Sequence, residues 1–177
     1  MSSFKDRIFR AAKLDVKLYE EVEADKGAMV QAMVVVVLSS IAGGVGSLGK
    51  GGLSGLIWGT AIALVAWYVW AYITYIVGTK LLPEPQTKAD YGELLRTIGF
   101  SSSPGLIRIL GIIPGLAGLV FLIAGIWMLV AMVFAVRQAL DYKSTFRAIG
   151  VCVIGWIIQA LIIALFFSVF GGFEKPA

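Results

Sequence analysis

Long apolar stretches without a single charge alternate along this chain with short polar links. Residues 27–49, 51–79, 109–136 and 148–173 contain no Asp, Glu, Lys or Arg. Each is longer than the roughly 20 apolar residues a helix needs to cross a bilayer. The pattern predicts spans over about 28–48, 53–79, 117–136 and 148–170. The stretch 97–136 holds one charge, Arg108, and Ile113-Pro114-Gly115 gives a turn signal near its middle. Two readings compete there. Either 97–112 crosses as well, or 91–112 lies in the interface. Ahead of the apolar runs, residues 1–27 are polar and helix-prone. Phe4, Ile8 and Ala11 or Ala12 share one helical face, which Leu18 and Val22 continue after Asp15.

Charge placement decides between the two readings. The basic residues gather in the N-terminal tail (Lys5, Arg7, Arg10, Lys13, Lys17, Lys26), in the second link (Lys80, Lys88, Arg96) and in the group Arg137, Lys143 and Arg147. The first link has Lys50 alone and the C-terminal tail Lys175 alone. Loops rich in Lys and Arg stay cytoplasmic. Five spans with the N-terminus inside and the C-terminus outside put all three clusters on that side, whereas an interfacial 91–112 would move the last one out. The expected fold is therefore an all-α polytopic membrane helix bundle of five transmembrane helices. It has a cytoplasmic segment 1–27, possible as an interfacial amphipathic helix or a solvated one, and a membrane domain 28–172. No cleavable signal peptide is expected, because charge fills the tail and the first apolar run is too long for one.

Composition narrows the chemistry. Of 177 residues, 59% are hydrophobic and 15% charged, with no histidine and one cysteine; the mean hydropathy is +0.89. Histidine acid–base catalysis, Cys/His zinc sites and an internal disulfide are excluded. Cys152, deep in the last run, reads as a packing residue. Carboxylates lie outside the spans and form no catalytic set, so no enzyme and no cofactor is expected. The net charge of +4 is explained by topology and gives no support for a nucleic-acid partner. Gly44-Val45-Gly46-Ser47-Leu48-Gly49 spells G-x-G-x-x-G, but it follows an apolar helix rather than a strand, so it reads as a hairpin and not as a nucleotide site.

Several positions stand out within the spans. Ser101-Ser102-Ser103-Pro104-Gly105 breaks the third stretch: proline removes a backbone donor and serines can re-satisfy the freed carbonyls. It reads as a kinked, packed helix or as a solute site of the transporter kind. Arg108 is expected to snorkel outward from the outer end of this short span. The 17 residues between Arg96 and Pro114 make a straight helix of about 26 Å, short of a hydrocarbon core of about 30 Å. Gly55 and Gly59, and Gly111 and Gly115, have the four-residue spacing of close helix contacts, within one bundle or between copies. Trp67, Tyr68, Trp70, Tyr72 and Tyr75 read as a headgroup-level belt. Asp90 with Glu93 forms a capping-box pattern, so a helix should begin near Tyr91.

The order of these parts resembles the Yip1 family of small membrane proteins. The residues that carry the resemblance are Asp90-Tyr91-Gly92-Glu93-Leu94-Leu95-Arg96-Thr97-Ile98-Gly99-Phe100-Ser101-Ser102-Ser103-Pro104, then Gly125-Ile126-Trp127-Met128, Val136-Arg137-Gln138-Ala139-Leu140, Phe146-Arg147-Ala148 and, before the membrane, Leu18-Tyr19-Glu20-Glu21-Val22. The likeness runs over roughly 14–170. It implies five spans, a cytoplasmic N-terminus and no enzymatic activity. Eukaryotic relatives are linked to Rab GTPases and ER–Golgi traffic through a long N-terminal region; the short tail here is similar to prokaryotic forms, which implies the cytoplasmic membrane. Two functions are expected as alternatives. One is a membrane-organising or adaptor subunit, working through its N-terminal helix and the cytoplasmic loops that carry Arg96, Arg137, Lys143 and Arg147. The other is a channel or small-solute transporter using the broken third span. Its partners would be the lipid bilayer and other membrane proteins or copies of itself.

Overall fold

The computed structural model describes residues 2–47 and 52–170. Leu48 to Gly51, with Lys50 and the end of the glycine motif, lies outside the described residues, as does the tail with Gly171, Gly172 and Lys175. Among the described residues the chain is helical and has no strand. Four helices are long and apolar enough to cross a membrane: Ala28–Gly46, Gly52–Leu81, Ala117–Ala139 and Thr145–Leu165.

The chain opens with two short helices, α1 (Phe4–Ala12) and α2 (Val16–Ala24), capped by Ser3 and Asp15 through their side chains. They fold back on each other as a hairpin. Tyr19, Leu18, Val22 and Ala11 are fully buried, so the apolar face expected from the sequence is turned onto the bundle. Arg7 ties the hairpin to the bundle. Its guanidinium donates to Glu21 at 3.0 Å, to Asp25 at 2.8 Å and to Gln31 Oε1 at 3.0 Å. Gln31 belongs to the first turn of α3 (Ala28–Gly46), which thereby fixes one end of the molecule, called here the hairpin end.

Helix α4 (Gly52–Ile76) returns from the far end and closes in a π-helical turn, Val77–Leu81. A loop leads to α5 (Tyr91–Phe100), where Asp90 and Glu93 form the reciprocal capping box expected from the sequence. The predicted span 97–112 differs from expectation. Helix α5 begins earlier, stops at Phe100, and after a two-residue turn gives way to a 3₁₀ segment, Ser103–Ile112. Proline explains the change: Pro104 has no N–H to continue the α-helical ladder, and Gly105 N instead donates to Ser102 O at 2.9 Å. A 3₁₀ helix rises about 2.0 Å per residue rather than 1.5, so the broken segment reaches further than a straight α-helix of equal length.

It runs the full length of α3. Gly92 lies beside Met29, Gly99 beside Ala32, Gly105 beside Ser39 and Gly111 beside Gly46. Helix α6 (Ala117–Ala139) flanks it on the other side, and α7 (Thr145–Phe170) packs on α6 and α4. The hairpin covers the outer side of this segment. Trp127 Nε1 donates to Ala12 O at 2.8 Å, and Met128 sits beside Gly105. The hairpin tip thus reaches past the midpoint of α3, with Lys13 and Lys17 exposed near it.

Candidate functional site

The far half of the bundle holds a wide-mouthed cavity of about 590 Å³ between α3, α4, the α5–3₁₀ segment, α6 and α7. Apolar side chains form most of its wall: Val36, Leu56, Trp67, Trp70, Ile98, Phe121, Met128, Met132 and Trp156. Ser39, Ser40, Ser47, Ser101, Ser102, Arg108 and Gln159 supply the polar part. The cavity stops where the hairpin-end core begins. There Val77, Leu94, Leu140 and Val151 are fully buried among one another.

Arg108 is the cavity's cation. The sequence places it at the outer end of a span, snorkelling; the structure turns it inward. Its Nε donates to Gly105 O at 3.0 Å, and its Nη2 to Ser39 O at 2.7 Å and Ser39 Oγ at 2.8 Å. Two glycines make this possible. A Cβ at Gly43 would lie 3.2 Å from Arg108 Cζ and Nη1, and one at Gly105 would run into Ser39 Oγ. The inward pose gives the guanidinium two carbonyls and a hydroxyl as acceptors inside the bundle, which outward snorkelling would forgo. No carboxylate pairs with Arg108 among the described residues.

The serine run divides. Ser101 Oγ donates to Ile98 O at 2.7 Å, as expected for a serine that caps a freed carbonyl, and Ser101 and Ser102 line the cavity. Ser103 is buried away from it, and its Oγ has no hydrogen-bond partner among the described residues. Pro104 is buried at the start of the 3₁₀ segment.

The four glycines singled out for close packing also divide. A Cβ at Gly111 would run up against Gly46 O at 2.6 Å, so this position is a close backbone contact. Gly55 and Gly59 are not: they line the cavity, and nothing lies within 4 Å of a Cβ at either. Leu56 and Thr60 reach α3 from this stretch while Gly55 and Gly59 face open space, so these glycines keep space open rather than bring backbones together. Gly115 has φ +84° in the turn before α6 and also faces open space; it serves a left-handed turn, not helix packing.

Two further expectations are corrected. Trp67 and Trp70 are not headgroup anchors. They are buried in the cavity wall, and Trp67 Nε1 donates to Leu95 O at 3.1 Å. Tyr72, on the other face of α4, is 56% exposed. Arg96 belongs to no loop. It is buried in α5 and donates to Val22 O at 2.9 Å and to Glu23 O, closing the C-terminus of α2. Arg137 Nε donates to Tyr142 O at 3.2 Å, Lys143 N to Glu84 at 3.0 Å and Arg147 Nη1 to Pro83 O at 2.7 Å. Lys143 and Arg147 knit the 82–90 link to the turn after α6, and Arg137, in the last turn of α6, closes that turn on itself. Sequence reasoning missed Ser39 as the partner of Arg108, and Gly43 and Gly105 as its cradle. The available signal was a polar residue and small residues in spans adjoining a charged one. Among the described residues no group of His, Cys, Asp and Glu can hold a metal ion.

These features define a class: an integral membrane helix bundle with a hollow far half and a packed opposite half. The Yip1 domain model matches residues 17–167, and the chain belongs to the Yip1 family. No curated protein and no solved structure matches it.

Proposed function

We propose that this protein is a non-enzymatic, five-span membrane organiser whose working part is the far-half cavity, with the hairpin end in the cytoplasm and the C-terminus outside. The observation that carries the functional reading is the enclosure of Arg108, Ser39, Ser101 and Ser102 in one space that is open at the far half and closed by packed side chains at the other. A single-ended space of this size suits binding of a guest. The dry core beneath it speaks against conduction in this conformation, and so ranks the channel reading second.

The matched length of α3 and the α5–3₁₀ segment supports the fifth crossing, and the K/R pattern supports the orientation. Exposed Lys13 and Lys17, held past mid-bundle, need water or headgroups beside them. On this topology the inner leaflet recedes around the hairpin, which gives the protein a means to thin the membrane locally. A prokaryotic cytoplasmic membrane is proposed from the likeness of Leu18-Tyr19-Glu20-Glu21-Val22 to prokaryotic members of the family. The hairpin and the loops at Arg137, Lys143 and Arg147 remain the surfaces for an adaptor role.

Cysteine scanning in a Cys152→Ala background tests the reading. Ser40→Cys and Gln159→Cys should react with a small apolar maleimide in native membranes, and Val151→Cys in the packed half should not. Reporter fusions at Gln86 and Lys143 should read cytoplasmic, and those at Lys50 and Lys175 external. Equal protection of all three cysteines would remove the cavity as the working part, and a cytoplasmic Lys175 would remove the fifth span.

A further inference from the structure

Among the described residues Arg108 is a cation with no anion. Its Nε and Nη2 are occupied by Gly105 O and Ser39, while Nη1 lies over Gly43, which lines the cavity, and has no acceptor among the described residues. An ionised group inside a membrane bundle is costly unless opposite charges or backbone carbonyls meet it, and it marks a functional site by default. The buried Arg7 shows how this chain neutralises an arginine when it uses its own carboxylates, Glu21 and Asp25. Among the described residues nothing comparable reaches Arg108, and a guest anion would supply the charge.

The shape of the opening says which kind. Helices α4 and α7 meet at Trp70, whose ring lies 3.0 Å from where a Gly155 Cβ would sit and stacks at 6.2 Å on Trp156. Beyond that contact the two helices part: Gly55 and Gly59 on α4 and Leu161 to Leu165 on α7 are exposed. This gap opens sideways, between helices whose outer faces are apolar. A guest entering there comes from the hydrocarbon and leaves with most of its length still among Trp67, Trp70 and Trp156.

The geometry points to a binding site for one anionic membrane lipid. Its phosphate sits on Arg108 Nη1 with the serine wall beside it, and an acyl chain leads out between α4 and α7. The assignment rests on the cavity reading above and names its ligand class. A phosphate oxygen accepts a charge-assisted hydrogen bond from a guanidinium, and Arg108 Nη1 lies over Gly43, three residues before the end of α3 at Gly46, so the headgroup is drawn inward by about 4.5 Å.

The test uses the full-length protein in mild detergent, with phosphatidylglycerol and phosphatidylcholine of the same acyl chains as probes. Binding is followed by native mass spectrometry and by the thermal shift each lipid produces. Phosphatidylglycerol should bind one per chain and at least tenfold more tightly than phosphatidylcholine. Arg108→Gln should erase that preference. Gly59→Leu, which narrows the mouth and leaves Arg108 intact, should weaken both lipids together, so the idea stays testable if Arg108→Gln fails to fold. Equal affinity for the two lipids, or an unchanged preference in Arg108→Gln, overturns the site. Inorganic phosphate that reproduces the shift at matched concentration overturns the lipid source in favour of an aqueous anion. The maleimide result separates the failures: a cavity that is labelled but shows no charge preference loses only this inference, and an unlabelled one loses the reading beneath it.

Discussion

At the hairpin end, Arg7 meets two carboxylates and a glutamine, Arg96 meets two carbonyls, and Tyr142 OH donates to Gly78 O at 2.9 Å and Leu82 O at 2.7 Å. Leu94, Val77, Leu140 and Val136 fill the space between. At the far end, Arg108 meets only backbone and one hydroxyl, α4 reaches α3 through Leu56 beside Gly44 and through the Ser40–Thr60 pair at 3.4 Å, and space remains. The difference assigns the two ends separate tasks. Stability is concentrated where the buried arginines are tied to carboxylates or carbonyls and the side chains pack closely. Binding is left to the end where a charge is unpaired and glycines hold a gap open.

The sharpest way to break this contrast is to remove a tie at the packed end. Arg96→Ala deletes two charge-assisted hydrogen bonds and leaves the Val22 and Glu23 carbonyls without donors in a buried seam. Hydrogen bonds to charged groups contribute about 1.5–3 kcal/mol each, so a loss of about 3 kcal/mol is expected. Thermal unfolding in detergent should show it as a clear fall in midpoint. A midpoint within error of the parent would mean that the hairpin end does not hold the fold together.

A second substitution tests a place where the far end is tight. At Gly46 a Cβ would run into Arg108 O and lie 3.3 Å from the Phe121 ring. The obstacle is backbone, which cannot swing away, and overpacking of this kind costs about 1–3 kcal/mol. Gly46→Ala should therefore lower the midpoint by less than Arg96→Ala and also displace the 3₁₀ segment. A shift in cavity labelling at Ser40→Cys would report that displacement.

These two positions show how much was legible in the sequence. Charge-free runs marked the four long helices, Asp90 and Glu93 marked the start of α5, and Ser101-Ser102-Ser103-Pro104 marked the break. Each of these is a signal carried along the chain. Inside and outside were not legible, because the long helices are apolar on every side and have no polar face to set their rotation. Trp70 and Tyr72 look alike in such a helix, yet one is in the cavity wall and the other is exposed. Gly46, Gly55 and Gly59 are the same residue at similar spacing, and only the fold separates a backbone contact from a gap. Arg108 shares this ambiguity: the sequence gives its depth, and only Gly43 on α3 and Gly105 on its own segment, both bare of side chains, give its direction.

Protonation should sharpen the contrast. Glu23, on α2, has its carboxyl pushed up to about 7 from 4.5, chiefly by burial, then by the nearby carboxylates of Asp141 and Glu93, with Arg96 opposing and Glu20 adding a little. A carboxyl raised on folding favours the folded state when protonated. Its help is complete below about pH 4.5 and disappears as the pH climbs through about 7. Glu21 behaves in the opposite way. It is held at about 2 by Ser2 first and then, against burial, by Arg10 and Arg7, so its contribution is intact across neutral pH and is lost only in strong acid. Between pH 5 and 8 the hairpin end should therefore loosen slightly as pH rises. Glu23→Gln should flatten that slope and raise the midpoint at pH 8. An identical slope in the variant would mean that Glu23 is not the group responsible.

The smallest effect is expected where the cavity mouth is bare. Gly55 and Gly59 lie in the body of α4 with open space around a would-be Cβ, so alanine meets no obstacle at either site. In a helix interior alanine is favoured over glycine by up to about 1 kcal/mol, and the gain should be smaller here because the helix is already held by lipid on its outer face. Gly55→Ala and Gly59→Ala should thus leave the unfolding midpoint unchanged or raise it slightly, while Gly46→Ala lowers it. Three glycines of one sequence class would then separate by place alone. A drop in midpoint at Gly55 or Gly59 as large as at Gly46 would show that α4 closes on a neighbour in the membrane and that the far half is not hollow there.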